Sequence, residues 1–123
     1  MIRPATAADR AAVCALHLAS WRDTYGAELP EEYMRDGLPG DLAAKWAARG
    51  FAAPEVTLLA EDGGTLTGFV CALTDRKIPL IDNLHVRPGL RSGGVGAALL
   101  TAIRQALAAQ GFERAYLTVL ESN

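Results

Sequence analysis

Residues 91–96 read Arg-Ser-Gly-Gly-Val-Gly, and they stand where an apolar strand gives way to an amphipathic helix. That arrangement suits a diphosphate. The first turn of a helix carries N–H groups without intrahelical partners and a partial positive charge, and both attract phosphate oxygens. Gly93, Gly94 and Gly96 let the backbone come close to a ligand, and Arg91 adds a cation beside it. Tight turns alone also use glycine. Three glycines within four residues, at the start of a helix, tilt the reading toward a ligand with a pyrophosphate.

The helix that follows the turn is the best-defined element. Val95, Ala98, Leu99, Ala102, Ile103, Ala106 and Leu107 recur at helical spacing and form one apolar stripe. Gly111 sits where a left-handed C-cap belongs, and Phe112 is placed to fold back onto Leu107. Upstream, residues 80–86 read as a strand, as do 56–61 and 65–74, with Asp62-Gly63-Gly64 as a hairpin turn. These three short-linked strands predict an antiparallel meander. A last strand over residues 115–120, reached through the helix, predicts a parallel pair with a right-handed crossover. At the N-terminus, residues 1–3 suit a short strand, and Thr6 with Asp9 signals the start of a helix over 7–24, ended by Gly26 and Pro30. Residues 31–36 read as a helical turn, and Leu38-Pro39-Gly40 is expected to break the chain before a second helix over 41–49. The fold class is α/β with a mixed sheet, antiparallel first and parallel at its end, as one domain over residues 1–123.

Composition excludes several functions. Of the 123 residues, 50% are hydrophobic and 21% charged, with a net charge of −2, so no basic surplus exists to neutralise a nucleic-acid backbone. No apolar run approaches the about 18 residues of a membrane span, and the first residues lack a signal-peptide core, so no membrane partner and a cytoplasmic location are expected. Cys14 and Cys71 lie far apart without metal-ligand spacing, and with two histidines no metal site is expected. Both cysteines read as small buried hydrophobes. Ten arginines against two lysines, with abundant alanine, fit a GC-rich bacterial genome.

Three phosphate motifs compete for the turn. A Walker loop needs lysine after its last glycine, where this chain has Ala97. The dinucleotide fingerprint fails at its third glycine, where Leu99 stands, and it normally opens a domain instead of following a meander. The third match is better: Arg91-Ser92-Gly93-Gly94-Val95-Gly96 fits R/Q-x-x-G-x-G/A, preceded by a strand ending Leu84-His85-Val86 and then Pro88. This resembles the acetyl-CoA site of the GCN5-related N-acetyltransferase (GNAT) superfamily. The order of elements agrees with that fold as far as the chain goes, with helices on both faces of the sheet. Ser20-Trp21-Arg22-Asp23-Thr24-Tyr25, followed by Leu29-Pro30, also resembles the end of the first helix in a bacterial subgroup.

The resemblance implies an acetyl-CoA-dependent N-acetyltransferase acting on a small-molecule or peptide amine. Backbone N–H groups from Arg91, Ser92, Gly93, Gly94, Val95 and Gly96, with Ala97 beyond them, would hold the pyrophosphate. Leu84 and Val86 would pair with the pantetheine arm like an added strand, with His85 between them. An attacking amine must lose a proton, and Asp82 is the first candidate base, with His85 second. An ordinary strand carboxylate remains the competing reading for Asp82. Trp21 and Tyr25, one turn apart, would wall the acceptor site, with core packing the competing reading for Trp21.

The family normally continues beyond the equivalent of residues 115–120 with an asparagine, a helix carrying a tyrosine, and further strands. Asn123 matches that asparagine as a cofactor contact, and the last helix and strands are expected to be lacking. The final strand would then expose an apolar edge with Leu117, Val119 and Leu120, which predicts a homodimer or other self-association there. A non-catalytic acyl-CoA-binding or assembly module of the same fold stays open as the alternative.

Overall fold

The computed structural model describes residues 1–25, 29–51, 55–90 and 93–117, with backbone alone at 24, 25 and 117. Its elements are β1 (Ile2–Pro4), a 3-10 turn (Ala7–Asp9), α1 (Arg10–Tyr25), α2 (Leu38–Ala47), β2 (Val56–Asp62), β3 (Thr65–Leu73), β4 (Leu80–Val86), α3 (Val95–Ala109) and β5 (Tyr116–Leu117). The five strands lie in sequence order in one sheet. β1 to β4 pair antiparallel and β4 pairs parallel with β5 through Leu80–Tyr116 and Ile81–Leu117, so the mixed sheet expected from the sequence is present. Of the last strand, residues 118–120 fall outside the described chain.

Local signals explain most boundaries. Thr6 and Asp9 form the expected capping box, and the Asp9 carboxylate also takes two hydrogen bonds from Arg3, at 2.8 and 2.9 Å. That guanidinium holds the Asp9 carboxyl far below the usual carboxylate range. Arg3 pairs with Glu61 as well, tying β1 and the start of α1 to β2. α3 ends in a Schellman arrangement: the Phe112 N–H donates to the Leu107 carbonyl at 3.1 Å and Gly111 to Ala108 at 2.9 Å. Phe112 thereby packs onto the cluster containing Leu107, as its spacing suggested.

One expectation fails. Leu38-Pro39-Gly40 does not break the chain; a π-helical segment, Tyr33–Gly37, runs directly into α2, which starts at Leu38 and not at Asp41. Within a π-segment the Leu38 N–H donates to the Tyr33 carbonyl, five residues back. Pro39 has no N–H to continue that pattern toward the Met34 carbonyl. Arg22 of α1 supplies the missing donors, with Nε at 3.2 Å and Nη2 at 2.9 Å from the Met34 oxygen. A second α1 arginine ties down the far end, Arg10 donating to the carbonyls of Trp46 and Arg49 at 2.9 Å each. Proline is tolerated here because another helix satisfies the carbonyl that it strands.

The sheet divides two cores. α3 covers one face, where Leu99, Ile103 and Leu107 pack on Val56, Leu58, Val70, Ala72 and Ile81. α1 and α2 cover the other, where Val13, Leu16 and Trp46 meet Leu59, Phe69 and Cys71. A smaller cluster of Met34, Leu38 and Leu42 joins α2 to α1. Among the described residues no helix is long and apolar enough to cross a membrane.

Candidate active site

The glycine turn is positioned by close packing of α3 on β3. A Cβ on Gly68 would lie 2.9 Å from the His85 carbonyl oxygen, 3.0 Å from Leu99 and 3.1 Å from Val95. Only a residue without a side chain lets the first turn of α3 settle against the strand there. Gly94 is the N-cap of α3 at φ 81° and ψ 3°, a left-handed conformation that ordinary residues avoid. The Ala98 N–H is the first to close the helix, on the Gly94 carbonyl at 3.0 Å. The N–H groups of Val95, Gly96 and Ala97 precede that closure and point out of the helix end. No acidic residue occupies the first turn. Of the expected cofactor contacts, Gly93, Gly94, Val95, Gly96 and Ala97 thus come together, whereas Arg91, Ser92 and Asn123 lie outside the described residues.

Gly93 and Gly96 are not demanded by the fold. Neither has a left-handed φ. A Cβ on Gly96 would meet only Val86 at 3.6 Å, an ordinary contact. A groove of about 510 Å3 opens on the β2–β3 flank of this turn, lined by Thr67, Glu61, Asp62, Gly93 and Gly94 among others. Its carboxylates make that flank a poor seat for phosphate, in contrast to the helix end itself.

β4 carries the remaining candidates, and its two edges differ. The Arg87 N–H donates to the Thr67 carbonyl at 2.8 Å, so Arg87, His85 and Asn83 direct their backbone groups at β3. Leu84 and Val86, on the alternate positions, direct theirs to the opposite edge, the side on which β5 pairs with Leu80 and Ile81. Their side chains face α3, Leu84 packing on its core cluster and Val86 lying near Gly96. A register shift separates the Asn83–Cys71 pair from the Ile81–Ala72 pair, leaving Asp82 as the extra residue of a bulge. Asp82, Asn83 and His85 therefore all face α1 and α2, which simple alternation would not allow.

Asp82 is held by Arg49, from just beyond the end of α2. Two hydrogen bonds of 2.9 and 3.0 Å join the guanidinium to both carboxylate oxygens. Arg49 is 9% exposed and lies over the Trp46 ring at 5.8 Å. Burial works against its charge, but the hydrogen bonds it donates to Asp82, together with the attraction of the acidic groups around it, outweigh that cost and raise the Arg49 pKa above the ordinary value. His85 lies further along the strand, its Nδ1 2.9 Å from the Ser20 hydroxyl. Its ring sits 4.4 Å from that of His17 and 5.3 Å from that of Phe69. His17 is 1% exposed and accepts a 2.9 Å hydrogen bond from Trp46 Nε1 at its own Nδ1. Burial, then the neighbouring His85 and Lys45, push the His17 pKa down to about 3.

Trp21 is half-buried and packs on the Met34, Leu38 and Leu42 cluster between α1 and α2, and the Tyr25 side chain lies outside the described residues. Cys71 is fully buried, and desolvation pushes its thiol up to about 12, while burial also raises that of Cys14. Neither is a ready nucleophile. Sequence reasoning missed Arg49, His17 and Gly68. Nothing near Asp82 in sequence names Arg49 as its partner. His17 and Ser20 do share a helix face three residues apart, a signal that could have paired them.

The family model for the acetyltransferase (GNAT) family matches residues 13–123. Among solved structures, the PaiA N-acetyltransferase of Thermoplasma acidophilum, crystallised with coenzyme A, superposes with a TM-score of 0.82 at 20% identity. That alignment covers 100% of this chain and 80% of the other. A GCN5-related N-acetyltransferase structure from Rhodopseudomonas palustris gives 0.70 at 28% identity, over 90% of this chain and 67% of that one. An aminoglycoside N-acetyltransferase in complex with CoA gives 0.73 at 17% identity, over 100% and 78%. No curated protein matches the sequence. Because the family match runs from α1 through β5 and takes in both β4 and the glycine turn, this chain belongs to the acetyltransferase (GNAT) family and is by that membership an N-acetyltransferase.

Proposed function

We propose that the chain transfers an acetyl group from acetyl-CoA to a primary amine, with the pyrophosphate seated on the first turn of α3. The observation that carries this reading is the surplus of glycine. The fold needs glycine at position 94, yet Gly93 and Gly96 stand where a Cβ would fit, and their absence of side chains keeps the helix end open to phosphate. The bound thioester supplies an activated acetyl group. Leu84 and Val86 offer backbone groups along the outer edge of β4 to the pantetheine arm, and an N–H there stabilises the charge developing on the thioester oxygen. One such donor is worth about 3 kcal/mol in other acyl transfers.

Asp82 would have to surrender its pair with Arg49 before taking a proton, since both oxygens are engaged. An unperturbed imidazole is suited to accept a proton near neutral pH, and His85 faces α1, on the side of the sheet away from α3. His85 is therefore the base and Asp82 a fixed ion-pair partner that anchors the end of α2. The amine nitrogen forms the C–N bond as its proton passes to His85. The C–S bond breaks, its electron pair leaves on sulfur, and solvent protonates the thiolate. Coenzyme A in two of the superposed structures supports the cofactor, and the aminoglycoside enzyme's name sets one acceptor class to try.

Calorimetric titration with acetyl-CoA, and NADH as comparison, tests the first half. Micromolar binding of acetyl-CoA that disappears in Gly96→Glu is expected; equal binding by the variant would overturn the seat. Thiol release in the presence of an aminoglycoside, a lysine peptide, a peptide with a free N-terminus and an alkylamine tests the second.

A further inference from the structure

We infer that His17 and Ser20 are positioning residues that fix the tautomer of His85 and let it accept a proton beside a neutral neighbour. This rests on the reading of His85 as the base. The two residues are three apart on α1, so one helix face presents both to β4. The Ser20 hydroxyl lies 2.9 Å from His85 Nδ1, and the His17 ring stands 4.4 Å from the His85 ring. An indole N–H can only donate, so the 2.9 Å bond from Trp46 makes His17 Nδ1 an acceptor. His17 then carries its single proton on Nε2 and is uncharged.

The consequence for His85 is electrostatic and geometric together. A charged His17 at this distance would oppose the formation of an imidazolium at His85, and the Trp46 bond and near-complete burial prevent that charge. In the tautomer we assign to His85, its Nδ1–H donates to the Ser20 hydroxyl, which can accept as well as donate, and the lone pair then lies on Nε2, where the amine's proton arrives. Among the described residues, the groups packed around the two rings come from α1, α2 and β3. α1 contributes His17 and Ser20, β3 contributes Phe69, and α2 contributes Trp46, with Lys45 acting on His17. On β4 itself Asp82 faces the same side and is neutralised by Arg49.

The chain has only two histidines, so ring 15N–1H correlation spectra across a pH series, on the full chain with acetyl-CoA, separate them cleanly. One ring should remain neutral with Nδ1 as acceptor below pH 5, and the other should titrate as the Nδ1–H tautomer. Ser20→Ala should shift the second ring toward the Nε2–H tautomer and lower kcat/KM for the amine by about tenfold with KM for acetyl-CoA unchanged. Ser20→Thr should restore both. His17→Gln, which removes one ring, confirms the assignment and should leave the tautomer of the other set by Ser20. A His85 tautomer indifferent to Ser20→Ala, or a His17 ring that protonates near pH 6.5 in the unaltered chain, overturns the inference. Failure of the base reading looks different: a His85→Gln variant whose kcat/KM keeps the parent's acid limb would sink that reading while the parent chain's ring spectra still showed the tautomer set by Ser20.

Discussion

The two faces of the sheet are built on opposite principles. Under α3 the core cluster is entirely aliphatic, from Val56 and Leu58 through Leu99 to Leu107. Under α1 and α2 the sheet buries His17, Ser20, Arg49, Thr57 and Asn83 among its aromatic rings. An aliphatic face needs only volume and shape, and it fixes where the helix lies. A polar face must pair every group that it removes from water, and each pairing fixes a particular side chain. The α3 face places a rigid backbone turn, as a phosphate seat requires. The α1–α2 face orients side chains, as proton transfer requires.

The largest test of that contrast lies at Arg49. Asp82→Ala would leave a buried guanidinium without its partner, and about 3–5 kcal/mol of stability should be lost in denaturant unfolding. Replacing both residues, as Arg49→Met with Asp82→Leu, should recover most of that loss. Equal losses in the single and double variants would mean that the pair is no polar unit.

Acid distinguishes the faces next. The folded pKa of His17 lies near 3, below its unfolded value, so the unfolded chain binds the extra proton first as pH falls. Its contribution is complete above about pH 6.5 and is lost progressively toward pH 3. At pH 5 the cost is about 2 kcal/mol, and His17→Gln should flatten this part of the stability–pH curve. Asp9, held low by Arg3, adds a separate loss of the same sign only below about pH 4. A curve unchanged between pH 7 and 5 in the parent protein would argue that His17 is not held neutral.

On the aliphatic face the expected effects are smaller and steric. Gly68→Val inserts a side chain into contacts of 2.9–3.1 Å and should cost about 1–3 kcal/mol while displacing the first turn of α3. Acetyl-CoA affinity should fall with it. The smallest change is the sharpest discriminator. Gly96→Ala fits beside Val86 and should raise stability by about 0.4–1 kcal/mol, whereas Gly94→Ala at φ 81° should lower it. A destabilised Gly96→Ala protein would show that glycine serves the fold there.

The aliphatic face was largely legible beforehand. The stripe from Val95 to Leu107, the cap at Gly111 and the Gly63-Gly64 turn are local patterns, and each element lies where its pattern put it. The polar face was not. The Leu38-Pro39-Gly40 segment reads as a break because proline strands a carbonyl, and only Arg22, from another helix, makes the helix continuous. Asp82 read as the first candidate base, and no local pattern names Arg49, 33 residues away, as the partner that engages both its oxygens.

The amino-acid sequence by itself determined the strands, the α3 stripe, the glycine turn and, through them, the family. Those features arise from hydrophobic periodicity and backbone conformation, which act between near neighbours. The tertiary structure alone decided which face each β4 side chain meets, because one bulge residue changes the alternation beyond it. It also decided that His17, Ser20, Trp46 and His85 form one hydrogen-bonded and ring-packed group, and that Arg49 holds Asp82. Such pairings depend on distances across the fold, which local spacing does not encode.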